Sequence, residues 1–225
     1  MLNPESPPEL SVAQRFNAPE PLSLGNLKGK VIVLFAFQML CPGSLKHALP
    51  QAQRLAHAFD SRDVAIIGLH MVFENHKDMT PELLEPFLKQ EHISIPVAVD
   101  APNGAGPPKT MEAYGMQGTP TVLLFDRQGR LRRHYLGAAG DARLAAEIMA
   151  FALEVPDAPR DVSRAIEQRL ASALVDPEQH DHEHSGDCCG GHHDHGHDHA
   201  HDHTHNHAHD HAHDHEHGKG CGDKH

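Results

Sequence analysis

Two sets of side chains in this 225-residue chain can do covalent or coordination chemistry. The first is a single thiol, Cys41, in the segment Phe37-Gln-Met-Leu-Cys-Pro-Gly-Ser44; the other three cysteines all lie beyond residue 187. An apolar run ends just before Cys41 and an amphipathic pattern begins just after it. The sulfur is therefore expected at a helix N-terminus, where unpaired N–H groups and the positive end of the helix dipole stabilise a thiolate. The alternative role for a free cysteine is that of a small, inert, buried hydrophobe.

The second set is the C-terminal tail. Histidine stands at His180, His182, His184, His192 and His193. It then recurs at every second position through His195, His197, His199, His201, His203, His205, His207, His209, His211, His213, His215 and His217. Cys188, Cys189 and Cys221 are interspersed with them. Neutral imidazole ligates zinc, nickel and copper, the interleaved carboxylates add oxygen ligands, and the thiols favour softer ions. Ni²⁺ and Zn²⁺ are the expected ligands, with copper and cobalt as further options. At four ligands per tetrahedral ion the tail would hold about four ions in exchangeable registers. An expression tag would be an uninterrupted histidine run, and a merely solubilising tail would use residues charged at neutral pH. Neither description fits.

The elements that must position Cys41 can be read from periodicity. Residues 1–20 form a Pro-rich arm with a short strand over Ser11–Phe16. Val31–Phe37 (VIVLFAF) predicts a strand buried on both faces. Residues 42–59 have helical spacing, from Leu45 and Leu49 to Leu55 and Phe59, with Pro42 tolerated in the first turn. Pro50 lies inside this pattern and predicts a kink. A second buried strand covers Val64–Leu69. Thr80 and Pro81 open a helix with Leu83, Leu84, Phe87 and Leu88 on one face. A strand at Val97–Val99, a small helix at Lys109–Tyr114 and strands at Thr121–Phe125 and Leu131–Tyr135 follow, the last two joined by the turn Asp126–Gly129. Helices over Asp141–Leu153 and Val162–Val175 complete the pattern. The order βαβαβαββα implies an α/β fold, a mixed sheet with helices on both faces. The expected organisation is an arm (1–20), a domain (21–155), a helical linker (156–179) and a disordered metal-binding tail (180–225).

Composition narrows the function classes. All ten aromatic residues lie before residue 152, so the tail has almost nothing with which to build a core. Up to residue 175 there are 17 basic against 19 acidic residues, and beyond it 2 against 12. The near-neutral domain argues against nucleic acid, which requires a basic face, and the acidic tail points to cations. The N-terminal MLNPESPPEL has neither a basic nor an apolar signal region, and no apolar run is long enough to span a bilayer. A cytoplasmic protein with reduced thiols, no membrane partner and no organic cofactor is expected.

The segment 37–44 resembles the active-site region of thioredoxin-like proteins of the TlpA/redoxin type, and Gly118-Thr-Pro-Thr121 resembles their cis-proline loop. The stretches PLSLGNLKGKVIVL, FLKQEHISIPVAVD and AYGMQGTPTVLLFDRQGRLRRH are similar to that family in order and spacing. The resemblance implies a thioredoxin-like fold, Cys41 as the nucleophile and Pro120 as the cis-proline beside it. It implies Thr119 as the residue offering backbone groups to a substrate. Ser44 stands where a dithiol enzyme has its second cysteine. A serine can support a thiolate but cannot resolve a mixed disulfide, so the usual dithiol cycle is excluded. A peroxidase of the peroxiredoxin kind is disfavoured too, because Gln38 and Leu34 occupy its Thr/Ser and Pro positions. The Cys-Cys-Gly-Gly and histidine repeats resemble the metal-binding tail of SlyD-type prolyl isomerases.

Three readings follow for Cys41. It forms mixed disulfides with glutathione or a thiol protein as a monothiol, a tail cysteine returns as its resolving thiol, or the domain is a non-catalytic scaffold for a nickel or zinc storage or delivery protein. The histidines of the domain (His47, His57, His70, His76, His92 and His134) show no ligand spacing, and His47, six residues after Cys41, is read as non-catalytic. Protonated imidazole cannot ligate, so metal affinity of the full chain should fall steeply between pH 7.5 and pH 5. Zinc or nickel titrations at the two pH values check this, and equal affinity would count against histidine ligation.

Overall fold

The computed structural model describes residues 2–155 and 158–174. The expected tail and all its candidate ligands lie outside the described residues. Six strands form one mixed sheet: β1 (Val12–Phe16), β2 (Val31–Phe37), β3 (Val64–His70), β4 (Val97–Asp100), β5 (Thr121–Phe125) and β6 (Leu131–Leu136). Their order across the sheet is β1-β4-β3-β2-β5-β6. Strands β2, β3 and β4 run parallel, while β1, β5 and β6 are antiparallel to their neighbours. This is the mixed α/β sheet expected from the strand and helix order, in the thioredoxin-like arrangement that the resemblance implied.

All seven residues of β2 are buried, which is what a continuous apolar, β-branched and aromatic run requires of a central strand. Alternation splits them between two cores. Val31, Val33, Phe35 and Phe37 meet α1 (Leu49–Ala58), α2 (Pro81–Gln90) and α4 (Asp141–Leu153) through Leu49, Leu84 and Phe151. Ile32, Leu34 and Ala36 meet α3 (Lys109–Tyr114) and the N-terminal arm through Met111, Leu10 and Leu24. The arm is tied down as well as packed. β1 pairs with β4, and Leu131 N–H donates to the Pro4 carbonyl at 2.8 Å.

Pro50 acts on the helix after Cys41 in a specific way. Residues Ser44–Ala48 form a π-helical turn that runs into α1, and Leu49 N–H reaches back five residues to the Ser44 carbonyl. The widened turn carries the chain past a residue that has no N–H to give and whose ring crowds the carbonyl four back. In α2, Thr80 has the extended backbone of an N-cap but makes no side-chain cap bond. Leu84 and Leu88 are buried and Phe87 partly so, whereas Leu83 is 47% exposed. The buried stripe of this helix is one residue narrower than its apolar pattern.

The last helix, α5 (Arg160–Ala173), is bonded to the domain by a buried ionic cluster. Arg132 on β6 is fully enclosed, with Asp126 at 2.9 Å, Glu154 at 2.8 Å and Glu167 of α5 at 2.6 Å. The buried Ser163 hydroxyl donates to Glu154 at 3.1 Å. Removing one member of such a cluster strands the remaining charges away from water, which costs about 3–5 kcal/mol. No described helix is long and apolar enough to cross a membrane.

Candidate functional site

Cys41 lies where the chain leaves β2 and enters the helical turns before α1. Its N–H donates to the Gln38 carbonyl at 3.1 Å and its carbonyl accepts from Leu45 N–H at 3.1 Å, so the residue is pinned on both sides. The side chain is half-buried. Its Sγ donates to the Thr119 carbonyl at 3.3 Å. The Thr119–Pro120 peptide is cis, as the resemblance implied.

Gly43 eases this approach, since a side chain there would press on the proline ring. A Cβ there would stand 3.1 Å from Pro120 Cδ and 3.8 Å from Cys41 Sγ. The proline loop is held by the sheet: Gly137 N–H donates to the Pro120 carbonyl at 2.8 Å, and the Thr121 hydroxyl donates to the Gly118 carbonyl at 2.7 Å. Two large apolar side chains stand out from this end of the molecule. Leu40, beside the cysteine, is 51% exposed, and Leu136, beside Gly137, is 60% exposed.

Opposing influences set the thiol's acidity. Burial pushes it up and is the largest single effect. Against it act the Ser44 hydroxyl, the Thr119 side chain and the backbone N–H groups of Ser44 and Gly43. Together the donors win, and the Cys41 pKa lies below the ordinary thiol value. The Ser44 hydroxyl is wholly buried, and it favours the Cys41 sulfur as thiolate.

Thus the four residues Cys41, Ser44, Thr119 and Pro120, separated by nearly 80 positions in sequence, share one site. Sequence reasoning used Gln38 only to set aside a peroxidase, yet its carbonyl and side chain join the two loops. Thr119 Oγ1 donates to Gln38 Oε1 at 3.2 Å. The available signal was a polar residue placed directly after a wholly buried strand. His70 shows the same pattern at the end of β3. It pairs in register with Phe37, its ring lies 5.3 Å from the Phe37 ring, and both of its nitrogens are buried without partners. Among the described residues no group of three or more His, Cys, Asp or Glu side chains could hold a metal.

The redoxin family profile matches residues 7–148. A crystal structure of a thioredoxin-like superfamily protein is 47% identical, with a TM-score of 0.64 over 68% of this chain and 97% of that one. A thiol-disulfide isomerase from Corynebacterium glutamicum is 43% identical, with a TM-score of 0.63 over 65% of this chain and 96% of that one. A thioredoxin-like protein in the oxidized form, at 19% identity and a TM-score of 0.54 over 65% of this chain and 93% of that one, shares the fold. No curated protein matches the sequence.

His70 gives the domain a pH response. Burial lowers its pKa to about 4, so between that value and its ordinary 6.5 the unfolded chain takes up a proton that the folded chain refuses. Stability is therefore whole above pH 6.5 and is lost as pH falls towards 4. The loss is about 2 kcal/mol between pH 7 and pH 5. Urea unfolding at the two pH values should show it, and His70→Phe should lose less than half as much. An equal loss in the variant would place the response elsewhere.

Proposed function

The chain belongs to the redoxin family, and from that premise we propose that it is a monothiol thiol–disulfide exchange protein with a transition-metal-binding tail. The observation that carries the proposal is the half-buried Cys41 sulfur, whose pKa the Ser44 and Thr119 side chains and the helix N–H groups bring down. As thiolate, Cys41 attacks one sulfur of a partner disulfide. The Cys41–S–S–R bond forms, the partner's S–S bond breaks, and the released thiolate takes a proton from solvent. Ser44 has no sulfur with which to resolve the Cys41–S–S–R bond, so the adduct waits for another thiol, such as glutathione.

The partner is proposed to be a thiol protein. The exposed Leu40 and Leu136 beside the site suit an apolar protein surface better than a small polar thiol. The name of the Corynebacterium relative, a thiol-disulfide isomerase, agrees with such a substrate. The alternating histidines and three thiols of residues 180–225 would bind Ni²⁺ or Zn²⁺, with copper or cobalt as alternatives, in the reducing cytoplasm. If Cys41 were inert, the domain would instead be the scaffold of a metal carrier.

The chemistry is tested by treating the reduced full chain with oxidised glutathione, with metal chelated, and locating adducts by peptide mass spectrometry. A persistent glutathione adduct on Cys41 is expected. In Ser44→Cys the adduct should collapse to a 41–44 disulfide, its lifetime shortened at least about ten-fold. A Cys41 link to Cys188, Cys189 or Cys221 would identify a tail thiol as the resolving group. A Cys41 that reacts only after unfolding would leave the scaffold.

A further inference from the structure

Gln38 has a property that packing does not explain. Its side chain is 2% exposed, and its Nε2 is buried with no hydrogen-bond partner. An unpaired buried amide N–H costs as much as a lost hydrogen bond, so a use for it is to be sought nearby. Its immediate neighbour is the Thr119 hydroxyl, which donates to Gln38 Oε1 at 3.2 Å. Thr119 in turn meets Cys41 twice. Its carbonyl accepts the thiol proton at 3.3 Å, and its side chain lies close enough to the sulfur to favour the thiolate.

These contacts cannot all persist when Cys41 ionises. A thiolate has no proton for the Thr119 carbonyl and needs donors instead. The threonine hydroxyl has one proton, and it cannot serve Gln38 Oε1 and the sulfur together. Gln38 can resolve this competition, because its amide carries an acceptor and a donor at the same reach. Turned over about its last side-chain bond, it presents Nε2 to Thr119 Oγ1. That oxygen then accepts from Gln38 and its proton is free to point at the sulfur. The chain of donors becomes Gln38 Nε2–H to Thr119 Oγ1, and Thr119 O–H to Cys41 S⁻. Each donor polarises the next.

We propose that Gln38 is a positioning residue for Cys41, whose buried amide aims the Thr119 hydroxyl at the sulfur when the thiol ionises. The inference rests on Cys41 being the reactive thiol and deepens that reading. Gln38 never touches the substrate and acts only through Thr119. The only bond broken is S–H, whose electron pair stays on sulfur while the proton passes to solvent, and the amide and hydroxyl protons stay on their own atoms.

The test is the pH dependence of Cys41 alkylation in the full chain with metal chelated, read at the Cys41 peptide so that tail thiols do not interfere. Gln38→Met keeps the length of the side chain and removes both hydrogen-bonding groups. It should raise the apparent Cys41 pKa by about half a unit, roughly three-fold less thiolate at neutral pH, because the Thr119 hydroxyl loses the donor that aims and polarises it. Thr119→Val, which removes the charge-assisted bond itself, should raise it by about one unit, and Thr119→Ser, which keeps the hydroxyl, should stay near wild type. The double variant Gln38→Met/Thr119→Val should be no higher than Thr119→Val alone, because the amide works through the hydroxyl. Should Gln38→Met not fold, Gln38→Leu, which is also uncharged and neither donates nor accepts, should show the same rise. An unchanged pKa in the Gln38 variants, or additive shifts in the double variant, would overturn the proposal. A wild-type Cys41 that is itself no more acidic than an ordinary thiol would instead remove the redox reading on which it stands.

Discussion

The removal of β2 from water on both faces is the constraint on which the remaining structure depends. Seven consecutive side chains without exposure need a neighbour strand on each side and a packed layer above and below, and β3, β5, the helices and the N-terminal arm supply them. Burying each large apolar side chain is worth about 1.5–3 kcal/mol, so packing holds this strand firmly in place. Its C-terminal end is where stiffness becomes useful. Cys41 follows four residues after Phe37, and the proline loop that faces it leads directly into β5, the strand paired beside β2. Two loops far apart in sequence are held together because the strands they extend are neighbours.

At that junction the balance of charge and solvation decides what the sulfur can do. Burial alone would hold Cys41 as a thiol and make it inert. Hydroxyls at Ser44 and Thr119 and the N–H groups at the start of the helix reverse that preference. Ser44 stands where a second thiol would complete a dithiol motif. The donor that supports a thiolate remains, while the group that would release a mixed disulfide is gone. The sequence also divides its cysteines, with Cys41 in the domain and Cys188, Cys189 and Cys221 among the histidine repeats.

Much of this was legible in the residues themselves. Runs such as VIVLFAF and VAIIGL have one reading as buried strands, and β2, α3, β5 and α4 fall on the ranges their patterns indicate. Cys41, Ser44, Thr119 and Pro120 were picked out by the resemblance of two short segments to the thioredoxin-like active-site and proline loops, and the fold brings those two segments together. Features that depend on a distant partner were not. The π-helical turn is a negotiated passage around Pro50, of which the proline is the only trace. Whether Thr80 caps α2 with its side chain, and whether Leu83 is covered, depend on what packs opposite. The Arg132 cluster joins positions 126, 132, 154 and 167, which no local pattern connects and which bind α5 to the domain. The contact of Gln38 with Thr119 spans 81 residues. A polar side chain at the end of an apolar run announces that something unusual is there, but not what it meets.

Whether the fold activates Cys41 is read most plainly from its alkylation rate against pH, followed at the Cys41 peptide in the folded and the urea-unfolded full chain. Half-maximal reactivity in the folded protein is expected below the ordinary thiol value of about 8.5, with reactivity at neutral pH above that of the unfolded chain. A midpoint at or above that value, or a Cys41 that reacts only once the chain is unfolded, would show that the fold does not activate the thiol.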